Sequence, residues 1–231
     1  MKKKLLGLVL TVSAGLFLFG QQLARQHPGP FFPYQATLKN LHIFSDEPFA
    51  QEDGQRILAE VAAKLADSTL YNPSREHRSY VCHARWRQRL FLPAGRVLGG
   101  VNYYPVTDNV YLGPAHFYSN RMVGSGRSLA YYIAHETAHT LVGIQRGGYP
   151  GIPSWLNEGY ADWIGLGPDF SYARAWKTWQ ERNPAHDDQL ANLYLRYDVM
   201  VAHLMDRQKA RIEELLERVP DRAAVEREAG L

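Results

Sequence analysis

Sulfur is scarce in this chain of 231 residues, where Cys82 is the single cysteine. One thiol permits no intramolecular disulfide and cannot build the sulfur-rich ligand set common in closed structural zinc sites. Cys82 and His83 lack the second pair a metal site would need, so a small buried apolar role is expected for the thiol. No cysteine follows the N-terminal apolar run, which removes a lipoprotein anchor. Charge of one sign is scarce as well. Lys2, Lys3 and Lys4 account for the whole net charge of +3, and from residue 25 onward basic and acidic residues are equal at 23 each. Without a basic stripe, no nucleic acid partner is expected. Internal repeats and low-complexity tracts are also absent.

Long hydrophobic runs are limited to one. Residues 5–20 follow the three lysines as an apolar stretch of 16 residues. As a helix this spans about 24 Å, short of a hydrocarbon core of about 30 Å. Together the lysines and the run have the form of a secretory signal, cleaved or retained as an anchor. No small-x-small cleavage site follows, which favours an N-terminal signal anchor over residues 1–24. Membrane attachment and an extracytoplasmic location are the expectation. Residues 25–37, rich in proline, read as a tether. The main domain is then expected over 38–231, where 45% hydrophobic content allows one sizeable core.

Against these absences stands Tyr131-Tyr-Ile-Ala-His135-Glu136-Thr-Ala-His139. Four residues apart on a helix, His135 and His139 lie on one face, so both imidazoles can point at one metal ion. Glu136 projects close to the same point, where a carboxylate can accept a proton from water. Eighteen residues, four glycines and two prolines among them, separate His139 from the Glu158 of Trp155-Leu156-Asn157-Glu158-Gly159-Tyr160-Ala161-Asp162. Pro153 and Ser154 read as a helix start, with Ser154 a plausible N-cap. Glu158 and Asp162 then share a face of that second helix. The glycines and prolines suit a reversal that brings the two helices side by side. Two histidines and one carboxylate, with a position left for water, form the ligand pattern of catalytic zinc.

HETAH followed by WLNEGYAD resembles the gluzincin metallopeptidases, a group that includes thermolysin-like and zinc-aminopeptidase-like enzymes. The HExxH-x18-ExxxD form resembles the aminopeptidase branch most closely. The tight match covers residues 135–162. The resemblance implies a Zn2+ cofactor held by His135, His139 and Glu158, with Glu136 as general base. It also implies that Asp162 orients a ligand imidazole. Val142 and Gln145 stand where metzincins require glycine and a third histidine, which excludes that group.

The rest of the chain reads as α+β. Strands are expected over 38–44, 80–84, 96–103 and 109–112, with a helix whose face carries Ile57, Leu58, Val61 and Leu65. By the same resemblance the fold is zincin-like: a small N-terminal mixed sheet with a helix, the active-site helix, then a C-terminal helical subdomain. Such folds lay a peptide along an edge strand, and 109–112 is the candidate. Residues 98–103 sit where the aminopeptidases carry a glutamate that binds the free amino terminus. That glutamate is missing here, so typical aminopeptidase activity is not expected. Tyr194 matches the tyrosine that donates to the oxyanion in these enzymes, with Tyr197 in reserve. Tyr131 could wall the site or simply pack; His116 and His203 read as loop and packing residues. Residues 207–218 read as a solvated helix face. The expected activity is zinc-dependent hydrolysis of a peptide or protein substrate. A catalytically silent zinc-binding scaffold at the cell envelope is the alternative, and a non-peptide amide substrate is a third possibility.

Overall fold

In the computed structural model, residues 15, 18–92, 99–182 and 189–231 are described. Strands β1 (Tyr34–Leu38) and β2 (Leu41–Ser45) form an antiparallel hairpin in which Leu38 faces Leu41. Lys39 turns the chain with a φ of 54°. Asn40 holds the turn, donating to the Arg75 carbonyl (2.8 Å) and accepting from the Tyr71 hydroxyl (2.9 Å). Helix α1 (Gln51–Leu65) crosses from β2 to the parallel strand β3 (His77–Val81), and helix α2 (Arg85–Phe91) follows. Strand β4 (Gly100–Tyr103) pairs antiparallel with β5 (Thr107–Leu112), which lies parallel to β3. The five-stranded mixed sheet has the order β1-β2-β3-β5-β4.

Both faces of this sheet are covered, and the strands show it by strict alternation. Ile43, Val81, Val110 and Leu112 point to the main core with Ile57, Leu58 and Ile133. Tyr80, Cys82 and Tyr111 point the other way, onto Phe32 and Phe91. Burial pushes the Cys82 thiol well above its ordinary pKa, as befits an inert packing residue.

Several sequence expectations change here, and the strand expected over 38–44 is split by the Lys39–Asn40 turn into the ends of β1 and β2. The stretch 25–37 is partly structured: the Arg25 carbonyl accepts from the Tyr111 hydroxyl (2.5 Å), Phe32 is buried, and β1 starts at Tyr34. Its aromatic residues fill the outer face of the sheet, which outweighs the prolines around them. Residues 207–218 do not form one solvated helix. The chain breaks after residue 207, and a short helix over Ile212–Glu217 buries Ile212, Leu215 and Leu216. Most of the expected anchor (1–14, 16 and 17) lies outside the described residues. Among the described residues, no helix is long and apolar enough to cross a membrane.

Helix α3 (Leu129–Arg146) runs through the centre, with every residue from Leu129 to Gly143 buried except Tyr132. Ser128 caps its start by accepting from the Tyr131 amide. Gly147, at φ 69°, and Gly148 close its end by donating to the Ile144 and Gly143 carbonyls. After that reversal comes α4 (Ser154–Leu166). Pro153, not Ser154, occupies the cap position, and no side chain caps this helix. Helices α5 (Tyr172–Glu181) and α6 (Gln189–Ala202) complete the layer behind it.

Candidate metal centre and its cleft

Small residues set how closely these helices approach. A Cβ on Gly165 would stand 2.8 Å from the Tyr131 ring and 3.2 Å from the His135 Cβ. A Cβ on Gly159 would stand 2.7 Å from the Tyr197 carbonyl oxygen of α6. Both are tighter than ordinary van der Waals contact, so glycine permits the crossings. With α3 and α4 this close, Tyr131, His135 and His139 at successive turns of one helix meet Asp162 and Glu158 at successive turns of the other.

Three ligand atoms converge as a result. His135 Nε2 and His139 Nε2 are 3.1 Å apart, and Glu158 Oε2 lies 3.7 Å and 3.5 Å from them. Ligands about 2.0–2.1 Å from a tetrahedral ion must stand about 3.3–3.4 Å apart. The measured spacings bracket that value, so the residues present fit a divalent ion of zinc's size. The ligand types, two imidazoles and one carboxylate, suit zinc as well.

Electrostatics support the same set. Asp162 Oδ1 lies 2.8 Å from His135 Nδ1 and also accepts from the Tyr131 hydroxyl. A carboxylate at Nδ1 keeps the proton there and leaves the Nε2 lone pair for a metal. Burial alone would raise the Asp162 pKa, yet His135, Arg127 and Tyr131 hold it well below the usual carboxylate range. Asp198, buried beside it, is pushed well above that range by burial and by the Asp162 charge. For Glu158, burial opposes the charge, but His139 and His135 outweigh it and lower its pKa. His139 shows the reverse balance: burial works against its charge, while Glu158 and Glu136 lift its pKa to about 9.

The ligands open onto a cavity of about 730 Å³. Glu136 lies in its wall and accepts from Asn102 Nδ2 at 3.4 Å. Asn102 in turn accepts from the Tyr149 hydroxyl, which also reaches the His139 carbonyl (3.1 Å). Gly100 passes directly over Glu136, for a Cβ there would fall 2.6 Å from the Glu136 Cγ. Tyr194 lines the cavity from α6. Tyr197 is buried, and its backbone carbonyl packs against Gly159. His203 lies elsewhere, against Tyr172 and near Glu228. His116 sits on a separate short strand over Ala115–His116 and is exposed.

The chain matches no protein-family model and no curated protein. The His135–Glu158–His139 cluster is compatible with an HExxH-type zinc site.

Placement overturns one expectation. Residues 109–112 are interior, since β5 pairs with β3 on one side and β4 on the other. The edge nearest the cavity is β4, a strand paired on one side only among the described residues. Tyr131 walls the cleft, one of its two expected uses, and Asn102, Tyr149, Arg127 and Asp198 join it with no role expected of them there. Tyr131 had a signal, its four-residue offset from His135. Arg127 and Tyr149 had none, because each reaches the cavity through a loop.

Proposed function

We propose that this chain is a zinc-dependent peptidase of the gluzincin kind, hydrolysing peptide bonds outside the cytoplasm. The observation that carries this reading is the spacing of three ligand atoms at tetrahedral-edge distances, with a carboxylate, Glu136, beside them on the wall of an open cavity. Zinc in that position supplies Lewis acidity toward a carbonyl oxygen and a water molecule. Glu136 takes the proton of the attacking water and delivers it to the leaving amine. Asn102 steadies the Glu136 carboxylate, and Gly100 leaves room for it. Tyr194 donates to the oxygen on which negative charge builds. A peptide pairs with the outer edge of β4, across the cavity from α4. Attachment to the membrane through residues 1–24 belongs to the same proposal and rests on the three lysines and the apolar run.

The alternative, a zinc-bound scaffold without turnover, has no use for a carboxylate at position 136. Substituting Glu136→Gln tests the reading. Stoichiometric zinc is retained, and hydrolysis of any peptide cleaved by the parent falls at least ~10²–10⁴-fold. Unchanged turnover refutes the base assignment. Zinc without chelator-sensitive cleavage of a diverse peptide pool selects the scaffold.

A further inference from the structure

Arg127 stands two residues before α3 and lines the cavity that holds the metal triad. Its guanidinium lies over the Tyr131 ring, with Cζ 4.2 Å from the ring centre. The Tyr131 ring centre is in turn 5.6 Å from that of His135. Guanidinium carries five N–H donors in a planar fork and accepts nothing. Among the described residues, it forms no hydrogen bond and no ion pair. Asp162 and Asp198 attract its charge, but neither comes within ion-pair distance of it. Asp162 Oδ1 serves Tyr131 and His135, Glu158 faces the two imidazoles, and Glu136 meets Asn102. Among the described residues, Arg127 is also the one lysine or arginine in the cavity wall.

Half-buried donors without acceptors, stacked on an aromatic ring and facing a cavity, form a receptor for a planar anion. We infer that Arg127 receives a carboxylate of the substrate, one or two residues from the bond that is cut. The reach supports this register. One residue advances a chain by about 3.8 Å, and an arginine–carboxylate pair adds about 4 Å between carbons. The two ring distances place Cζ within about 10 Å of the His135 ring centre, so a carboxylate on the fork belongs to a residue one or two positions from a bond held at the triad. The carboxylate is either the substrate's own C-terminus, which makes the enzyme remove one or two C-terminal residues at a time, or an acidic side chain. This deepens the peptidase reading and rests on it for the position of the scissile bond.

Two measurements separate failure of this inference from failure of that reading. Short peptides are prepared in pairs: free C-terminal acid against C-terminal amide, and Glu against Gln within an amidated peptide. Turnover of each pair is measured with the zinc-loaded full chain, and affinity with zinc-loaded Glu136→Gln, which needs no turnover. One acid is expected to bind and react roughly 10- to 100-fold better than its neutral partner. A response from the terminal pair identifies the C-terminus, and one from the Glu/Gln pair identifies the side chain. Arg127→Gln brings the acid-to-neutral ratio toward one. Arg127→Lys, which keeps charge but loses the fork, leaves an intermediate ratio and carries the test should the glutamine variant fail to hold zinc. A parental ratio near one, or a ratio that survives Arg127→Gln, overturns the inference. Acid-selective binding without cleavage supports Arg127 and counts against the peptidase; cleavage indifferent to acid does the opposite.

Discussion

Replacing Gly100 by alanine adds one methyl at the place where β4 crosses Glu136. That carbon would stand 2.6 Å from the Glu136 Cγ and 2.6 Å from the Leu112 Cδ2. Ordinary carbon contacts are about 3.5–4.0 Å, so about 1 Å of movement is required. Leu112 is fully buried and has nowhere to retreat. Either β4 lifts from the sheet or the Glu136 side chain gives way into the cavity. Overpacking of this kind costs about 1–3 kcal/mol, and each kcal/mol lowers Tm by about 2–4 °C in a domain of this size. The functional effect is expected to be larger than the structural one. A misplacement of about 1 Å at a catalytic group costs on the order of 10²-fold in rate. Zinc should stay stoichiometric, since the atoms nearest the new methyl belong to Glu136 and Leu112 and not to His135, His139 or Glu158. The assay is a three-way comparison with the parent: zinc content by elemental analysis, Tm, and kcat/KM on a peptide that the parent cleaves. Full turnover would show that Glu136 does not need the space Gly100 leaves. Loss of zinc in step with activity would show that the damage runs through the ligands instead.

Two further outcomes follow from the same geometry. Asp162→Asn removes the charge that holds the His135 proton at Nδ1, and zinc affinity is expected to fall about 10- to 100-fold in competition with a chromophoric chelator; an unchanged affinity would remove Asp162 from the site. In the metal-free chain His139 keeps its proton up to about 9 because the Glu158 and Glu136 carboxylates outweigh its burial. Zinc takes only the neutral ring, so uptake near about pH 7.5 should release close to one proton, and affinity should fall about tenfold per pH unit below that pKa. The folded pKa lies above the unfolded value of about 6.5, so this proton stabilises the metal-free fold fully below about 6.5 and ceases to do so as pH rises through about 9. Titration calorimetry in two buffers of different ionisation heat counts the protons, and a count of zero contradicts the assignment.

Neighbours along one helix were readable in the chain before any coordinates. A 3.6-residue period alone puts His135 with His139 and Glu158 with Asp162, and alternation alone sorts Val110, Tyr111 and Leu112 onto opposite faces. What lay beyond reach depends on which distant segments pair. Nothing local tells that residues 109–112 would be enclosed by β3 and β4 or that 34–38 would pair with 41–45; a Lys-Asn turn is a weak hairpin signal beside Asn-Gly. Asn102, Tyr149 and Arg127 reach the cleft from an edge strand and two loops, and their contacts span gaps with no periodicity to betray them. The sequence by itself determined the ligand pair on each helix, because that geometry is written into the backbone repeat. Only the tertiary structure decided that the two pairs meet, since their meeting depends on Gly159 and Gly165 letting three helices pack closer than any side chain would allow.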